Sequence, residues 1–411
     1  MNRAARIGIV AVSVVIFCYA GLGHVLGGAG DDKAYKSLTV YSEVLQKIQQ
    51  DYVDDPNMHT VTAGSLHGLL ESLDPQSSYL TPREYDEYKK KLQNSGTGET
   101  GLTLSKRYGY VIVLSVLPDS PGTKAGVRSG DIFESIGGFT TRDMSVGQAL
   151  NLLAGQPGTG IKVAIIRRGK ATPEEVDLVR EKLATPKIIA QKAEPDILVL
   201  RLPSLDGGRA DEVRSRLLDA EKQGVRKVIL DVRECGRGSV AEAISLARLF
   251  VPSGTITTLR GHTVSAQVFS AEPKQVVWRN PVSVLIDATT SGAAEVLASA
   301  IAANHRGDVV GERTFGLASE QKLITMDDGA ALILTVANYY NPGGKSILEE
   351  GITPTEVVRA VPDDSDSGDD DAAPVPETQK EPGLGPRPLS PEDPIFHRAL
   401  DLLRTPAKKA A

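Results

Sequence analysis

Apolar and polar positions divide the chain into segments of different period. Residues 7–26 contain no Asp, Glu, Lys or Arg, and a helix of that length, at ~1.5 Å per residue, just crosses a ~30 Å hydrocarbon layer. Arg3 and Arg6 precede the run and Asp31 and Asp32 follow it. The positive-inside bias then predicts a cytoplasmic N-terminus and an exported remainder. The run exceeds the ~7–15 apolar residues of a signal-peptide core, which favours a retained anchor. The alternative is a cleaved signal, suggested by the small residues at 27–30. From 36 to about 93 the apolar spacing is helical: Leu38, Val44, Leu45 and Ile48, then Leu66, Leu69 and Leu70. Two prolines and small polar residues predict a turn over 73–82, and a helix resumes at Arg83 with Pro82 near its first position.

Between 96 and about 169 the pattern is β-rich. Strands are expected at 101–104, 110–116 and 161–167, with a helix at 145–154. From about 187 to 358 short apolar runs at 197–202, 227–232 and 282–286 alternate with helical patterns at 209–223, 240–250 and 293–303. Such alternation predicts an α/β layer with parallel pairing. An Asp-, Pro- and Gly-rich linker is expected from 361 to 394, followed by one amphipathic helix near 394–403. The fold class expected is therefore multidomain α/β. Its parts are an N-terminal anchor or signal segment (1–30), a helical region (31–95), a β-rich module (96–170), a core with a largely parallel sheet (187–360), the linker (361–394) and a C-terminal helix and tail (395–411).

Composition changes this picture little. With 411 residues, 41% hydrophobic and 24% charged, the chain is neither fibrous nor disordered as a whole. The formal net charge of −6 is matched by Asp363, Asp364, Asp366, Asp369, Asp370 and Asp371 alone. The remainder is balanced, which argues against nucleic acid as a partner. The two cysteines, Cys18 and Cys235, can make neither a disulfide framework nor a four-thiolate zinc site, and Cys18 falls inside the apolar run. His24, His59, His67, His262, His305 and His397 show no metal-ligand spacing and read as ordinary surface or helix residues. No metal and no cofactor is expected.

The stretch Ser-Pro-Gly-Thr-Lys-Ala-Gly-Val-Arg-Ser-Gly-Asp-Ile at 120–132 resembles the PDZ domains of bacterial exported proteases. A PDZ groove adds an extended peptide to a strand edge and captures its terminal carboxylate on the backbone amides of a glycine-containing loop. The resemblance puts Gly101, Leu102, Thr103 and Leu104 in that loop and edge, with Val146 and Leu150 on the facing helix. The competing reading buries Leu102 and Leu104 in the module's own core.

Further motifs are Tyr52-Val53-Asp54, the 73–81 turn, Leu230-Asp231-Val232-Arg233, and Val310-Gly311-Glu312-Arg313-Thr314-Phe315-Gly316. Leu334 to Tyr340 and Gly351-Ile352-Thr353-Pro354 complete the set. Together with the PDZ module they resemble the C-terminal processing peptidases, or tail-specific proteases. That resemblance implies serine proteases that hold unstructured C-terminal tails and cut with a serine activated by a neutral lysine. In the family the serine stands three residues before a Glu in a small-residue run. The lysine follows a Phe-Gly pair, and a glutamine four residues further on orients it.

On this chain the Glu is Glu295, so the serine position is Gly292. The Phe-Gly pair is Phe315-Gly316, so the lysine position is Leu317, and Gln321 is retained. Where the family has an Asn-Asn-Pro-Gly-Gly turn that feeds the oxyanion hole, this chain has Glu234-Cys235-Gly236-Arg237-Gly238. Arg237 there replaces a glycine that allows close backbone approach. Ser291 is the alternative nucleophile, although helix capping is its expected role, and strand alternation turns Lys322 away from the face shared by 317, 319 and 321. Cys235 is expected to be an inert thiol.

The expectation is thus an exported, membrane-anchored pseudopeptidase of the bacterial inner membrane with periplasmic or extracytoplasmic domains. It would bind C-terminal peptide tails of exported proteins and act as adaptor or regulator, with an active relative or a second copy of itself as a further partner. The alternative is an active serine endopeptidase with a rearranged site built on Ser291, and a third reading is a module that only assembles subunits.

Overall fold

A computed structural model describes residues 32–93, 96–107, 109–142, 144–167, 172–359 and 393–405. The apolar run at 7–26, Cys18 and nearly all of the expected linker lie outside the described residues. The chain divides into two compact units, one up to Ser65 and one from Leu66 onward. In the first unit, helix α1 (Asp32–Asp51) leaves Leu38, Val40 and Val44 exposed. Among the described residues no helix is long and apolar enough to cross a membrane. Helix α2 (Met58–Glu71) runs across the division.

In the second unit, residues 73–82 are not only a turn. Ser78–Leu80 form strand β1, which pairs antiparallel with a strand far along the chain, and helix α3 (Pro82–Gln93) follows. Three buried residues in a row, Ser78, Tyr79 and Leu80, are too short a signal for periodicity to register. The partner strand supplies the pairing that the local sequence does not announce.

The β-rich module is an antiparallel sheet of β2 (Leu102–Arg107), β3 (Tyr110–Val116), β4 (Ile132–Ile136), β5 (Phe139–Thr140), β6 (Gly160–Ile166) and β7 (Glu174–Val179). It carries the short helix α4 (Pro121–Lys124) and the helix α5 (Val146–Leu153). The start of α5 follows from its sequence. Ser145 accepts from the Gln148 amide, and Gln148 Oε1 accepts from the Ser145 amide at 3.0 Å, a reciprocal capping box. Phe133, Ile136, Val163, Ile165 and Leu178 fill the core beneath.

The core domain holds a six-stranded sheet in the order β17-β14-β13-β10-β9-β8. These strands are β8 (Ile189–Glu194), β9 (Ile197–Arg201), β10 (Lys227–Asp231), β13 (Val282–Ile286), β14 (Asp308–Gly311) and β17 (Glu356–Val357). All neighbours are parallel except β8 with β9, as the alternating pattern predicts. Both faces are covered, so β9, β10 and β13 are buried almost throughout. On one face Leu198, Leu200, Val228, Leu230 and Val284 share a core with helices α6 (Arg209–Lys222), α7 (Val240–Arg248) and α8 (Ala293–Ala303). On the other, Ile197, Val199, Ile229 and Leu285 pack against helix α9 (Pro394–Arg404).

A further sheet, not foreseen from the sequence, is antiparallel: β11 (Thr255–Arg260), β12 (Gln267–Ser270), β15 (Ser319–Thr325) and β16 (Ala331–Tyr340), with β1 at its edge. The hydroxyl of Ser78 in β1 accepts from the Gly147 amide at 3.3 Å, which joins this sheet to the first turn of α5.

Candidate functional site

The strand β13 ends at Ile286, and a tight turn connects it to α8. Asp287 Oδ1 gathers that turn by accepting from the Thr289 and Thr290 amides at 3.1 and 2.7 Å. The chain then passes Gly292 at φ 63°, ψ −119°. This is a strand-to-helix bend that strains an L side chain, yet a Cβ built on Gly292 would meet nothing within 4 Å. The backbone of a nucleophile bend and the space for a side chain are both present.

Glu295, three residues on and fully buried, holds this bend against the loop that carries Leu317. Its Oε2 accepts from the amides of Gly292 (2.7 Å) and Leu317 (2.8 Å), and its Oε1 accepts from the Thr314 hydroxyl and the Gly316 amide, each at 2.6 Å. The serine and lysine positions of the resemblance therefore meet on a single carboxylate oxygen. Burial pushes the Glu295 carboxyl up to about 7, against the pull of its four donors. Gly316, at φ 95°, is pinned as well: a Cβ there would lie 2.9 Å from the amides of Glu349 and Gly351. Leu317 borders a cavity of about 400 Å³ whose wall includes Lys106, Arg107, Arg313 and Phe315.

The expected cap role of Ser291 is not what the structure shows. Gly292 is the N-cap of α8, and Glu295 satisfies the Gly292 amide. The Ser291 hydroxyl is buried and has no hydrogen-bond partner among the described residues, so none of them holds an amine in hydrogen-bond contact to take its proton. The strict alternation expected for 317–322 also fails. Leu317 precedes β15, and a bulge at Glu320/Gln321 breaks the register. Gln321 and Lys322 are both exposed, and Gln321 lines the groove beside α5 instead of the cavity beside Leu317.

The 234–238 turn is held on both sides. Glu234, at φ 59°, accepts from Arg201 Nη2 at 2.9 Å, and Arg237 Nη1 pairs with Glu99 Oε2 at 2.7 Å. A Cβ on Gly236 would come within 2.6 Å of Ser115 Oγ, 2.9 Å of Ser291 Oγ and 3.0 Å of Thr103 Cγ2. The first strand pair of the β-rich module thus sits directly on this turn. Cys235 is buried, and burial pushes its thiol up to about 12, which leaves it inert. Just upstream, Arg233 bridges Asp231 (2.7 Å) and Asp393 (2.6 Å), the N-cap of α9. Against the desolvation of full burial, Arg233 holds the Asp231 carboxyl below the usual range.

A cavity of about 490 Å³ lies where the peptide groove is expected. Gly101, Leu102, Val146 and Leu150 line it. Gly101, at φ 78°, can only be glycine, because a Cβ would collide with Ser120. Thr103 and Leu104 stay on the strand β2, but their side chains do not line this cavity. The bulge at Thr103/Leu104 leaves Leu104 in the module's core and Thr103 beside Gly236. Of the histidines, His67 departs from an ordinary helix residue. It is half-buried against the Tyr79 ring, its Nδ1 has no partner, and burial lowers its pKa. Among the described residues no group of three or more His, Cys, Asp or Glu could hold a metal ion.

The tether at Glu295 and the lining of the groove escape a reading by segments. Glu295 at the third position of α8 supplies only the half of a capping box that reaches back to the N-cap amide, and it foretells the first half of that tether. The second half joins loops that only the fold brings together.

These features coincide with known proteins. Residues 196–358 match peptidase family S41, and residues 112–167 match the PDZ domain. The carboxy-terminal-processing protease of Bartonella bacilliformis is 29% identical over 336 residues, covering 80% of this chain and 76% of that protein. The carboxy-terminal processing protease CtpA of Bacillus subtilis is 27% identical over 344 residues, covering 83% and 72%. The photosystem II D1 C-terminal processing protease shares the fold, with a TM-score of 0.65 over 78% of this chain and 92% of that one, at 23% identity. The chain carries a serine-type S41 peptidase scaffold with a PDZ domain, and over most of its length it is similar to the C-terminal processing peptidases.

Proposed function

We propose that this chain is a catalytically degenerate C-terminal processing peptidase that binds the C-terminal tails of exported proteins through its PDZ groove and works as an adaptor or regulator. The observation that carries the reading is the pair Gly292 and Leu317, held together on Glu295 Oε2 with neither a hydroxyl nor an amine between them. Acyl transfer needs a nucleophile and a base within hydrogen-bond reach, and the neighbouring Ser291 hydroxyl has no partner among the described residues. The apolar run at 7–26, with arginines before it and aspartates after it, supports export with retention in the bacterial inner membrane. An active relative, or a second copy of the chain, is the partner such an adaptor would serve.

The test is incubation of the full-length protein with an unfolded client bearing a free tail, alongside labelling by a fluorophosphonate. Tail binding without cleavage or labelling is the expected result. Cleavage that disappears on Ser291→Ala overturns the reading in favour of a rearranged endopeptidase.

A further inference from the structure

The tail groove is not built by the PDZ module alone. Facing Gly101, Leu102 and Leu150 are Lys91 from α3 and Gln76 from the segment before β1. Both have unspent polar capacity. The Lys91 ammonium donates to two neutral acceptors, the main-chain oxygen and Oδ1 of Asn151, the latter at 2.7 Å. It forms no salt bridge among the described residues. Burial pushes Lys91 below the usual range for a lysine, partly offset by Glu87 and deepened by Arg180. Glu99, the acidic residue on the groove wall, is already taken by Arg237. Gln76 Nε2 is buried and finds no acceptor.

A half-buried cation with neutral partners is stabilised by an incoming anion, and an orphaned amide donor by an incoming carbonyl. The free end of a peptide supplies both groups in one ligand. The Leu102, Val146, Leu150 and Ile333 side chains give its last side chain an apolar seat.

We propose that Lys91 is the counter-charge for the α-carboxylate of a tail bound in this groove, and that Gln76 donates to the tail's main chain. Recognition is then shared between the PDZ module and two elements outside it. The proposal rests on the reading of the groove as a tail site and adds the residues that read the free end.

The experiment is fluorescence anisotropy with full-length protein in detergent and fluorescein-labelled decapeptides ending in Ala, Val, Leu or Phe, each as free acid and as C-terminal amide. The unaltered chain binds the acids about tenfold more tightly than the amides. Lys91→Gln, which keeps a donor for Asn151, reduces that ratio to near one without weakening the amides. Lys91→Arg restores the ratio, and Gln76→Leu weakens acids and amides alike by about threefold. Should Lys91→Gln fail to fold, salt decides on the unaltered chain: raising it from 50 to 500 mM weakens the acids and spares the amides. An acid-to-amide ratio that survives Lys91→Gln, or acid binding indifferent to salt, overturns the role of Lys91 and leaves tail binding standing. An unaltered chain that binds neither form, or both equally, overturns the tail reading itself.

Discussion

The PDZ groove and the Gly292–Leu317 pocket lie in one compact unit, yet they have kept different things. The groove keeps ligand-facing chemistry: a glycine loop at Gly101, an apolar seat, a cation and an orphaned amide. The pocket keeps its frame, with four donors converging on Glu295, around positions that bear hydrogen and hydrocarbon. A frame of buried hydrogen bonds is retained because unpairing any of its members costs stability. The half-buried positions 292 and 317 supply only their main-chain amides to that frame, so their side chains can change without unpairing it. The comparison separates what holds a site from what makes it react.

The sharpest way to break this comparison is to restore the missing groups. Because the frame survives, Gly292→Ser with Leu317→Lys gains fluorophosphonate labelling, whereas either single variant stays unlabelled. An unlabelled but folded double variant would show that the 234–238 turn has lost the oxyanion contribution as well.

Next in size is Glu295→Ala, which strands four donors and costs about 4 kcal/mol in chemical denaturation. The carboxyl also sets a pH dependence. The folded chain keeps a proton up to about pH 7 that the unfolded chain releases near 4.5. This contribution is therefore full below about 4.5 and is lost as pH rises through 7, a fall of about 3 kcal/mol. Urea denaturation at pH 5 and pH 8 measures it, and Glu295→Gln removes that slope.

Gly236→Ala tests the seat of the PDZ strands on the core. Its methyl meets Ser115, Ser291 and Thr103, and the expected loss is about 1–3 kcal/mol in a thermal melt. The smallest effect on folding comes from the groove. Leu150 is 44% exposed, so Leu150→Glu leaves the melting temperature nearly unchanged while weakening tail binding about tenfold, or ~1.4 kcal/mol.

Much of this was legible in the sequence, for identifiable reasons. The strands at 197–201, 227–231 and 282–286 are apolar runs buried on both faces, and the intervening helices carry stripes that need that sheet. Ser145 and Gln148 announce α5 by their spacing alone. The antiparallel sheet was not legible, because β1 is three residues long and its partner β16 begins some 250 positions later. At the site, the resemblance located Gly292 and Leu317, but it did not foresee where the Gln321, Thr103 and Leu104 side chains lie. Each of these adjoins a bulge, Glu320/Gln321 or Thr103/Leu104, and one extra residue reverses every facing inferred from alternation. The roles of Lys91 and Gln76 have no local signal, since they arise where three separate elements meet.

The bend at Gly292 has one more consequence. At φ 63° and ψ −119° a serine would sit in strained backbone, at a cost of about 1 kcal/mol or more, and an unprotonated lysine beside it would add the burden of a buried amine. Glycine and leucine remove both burdens. On the function proposed above, glycine and leucine at these two positions trade reactivity for stability, the exchange by which a strained active site is commonly relieved.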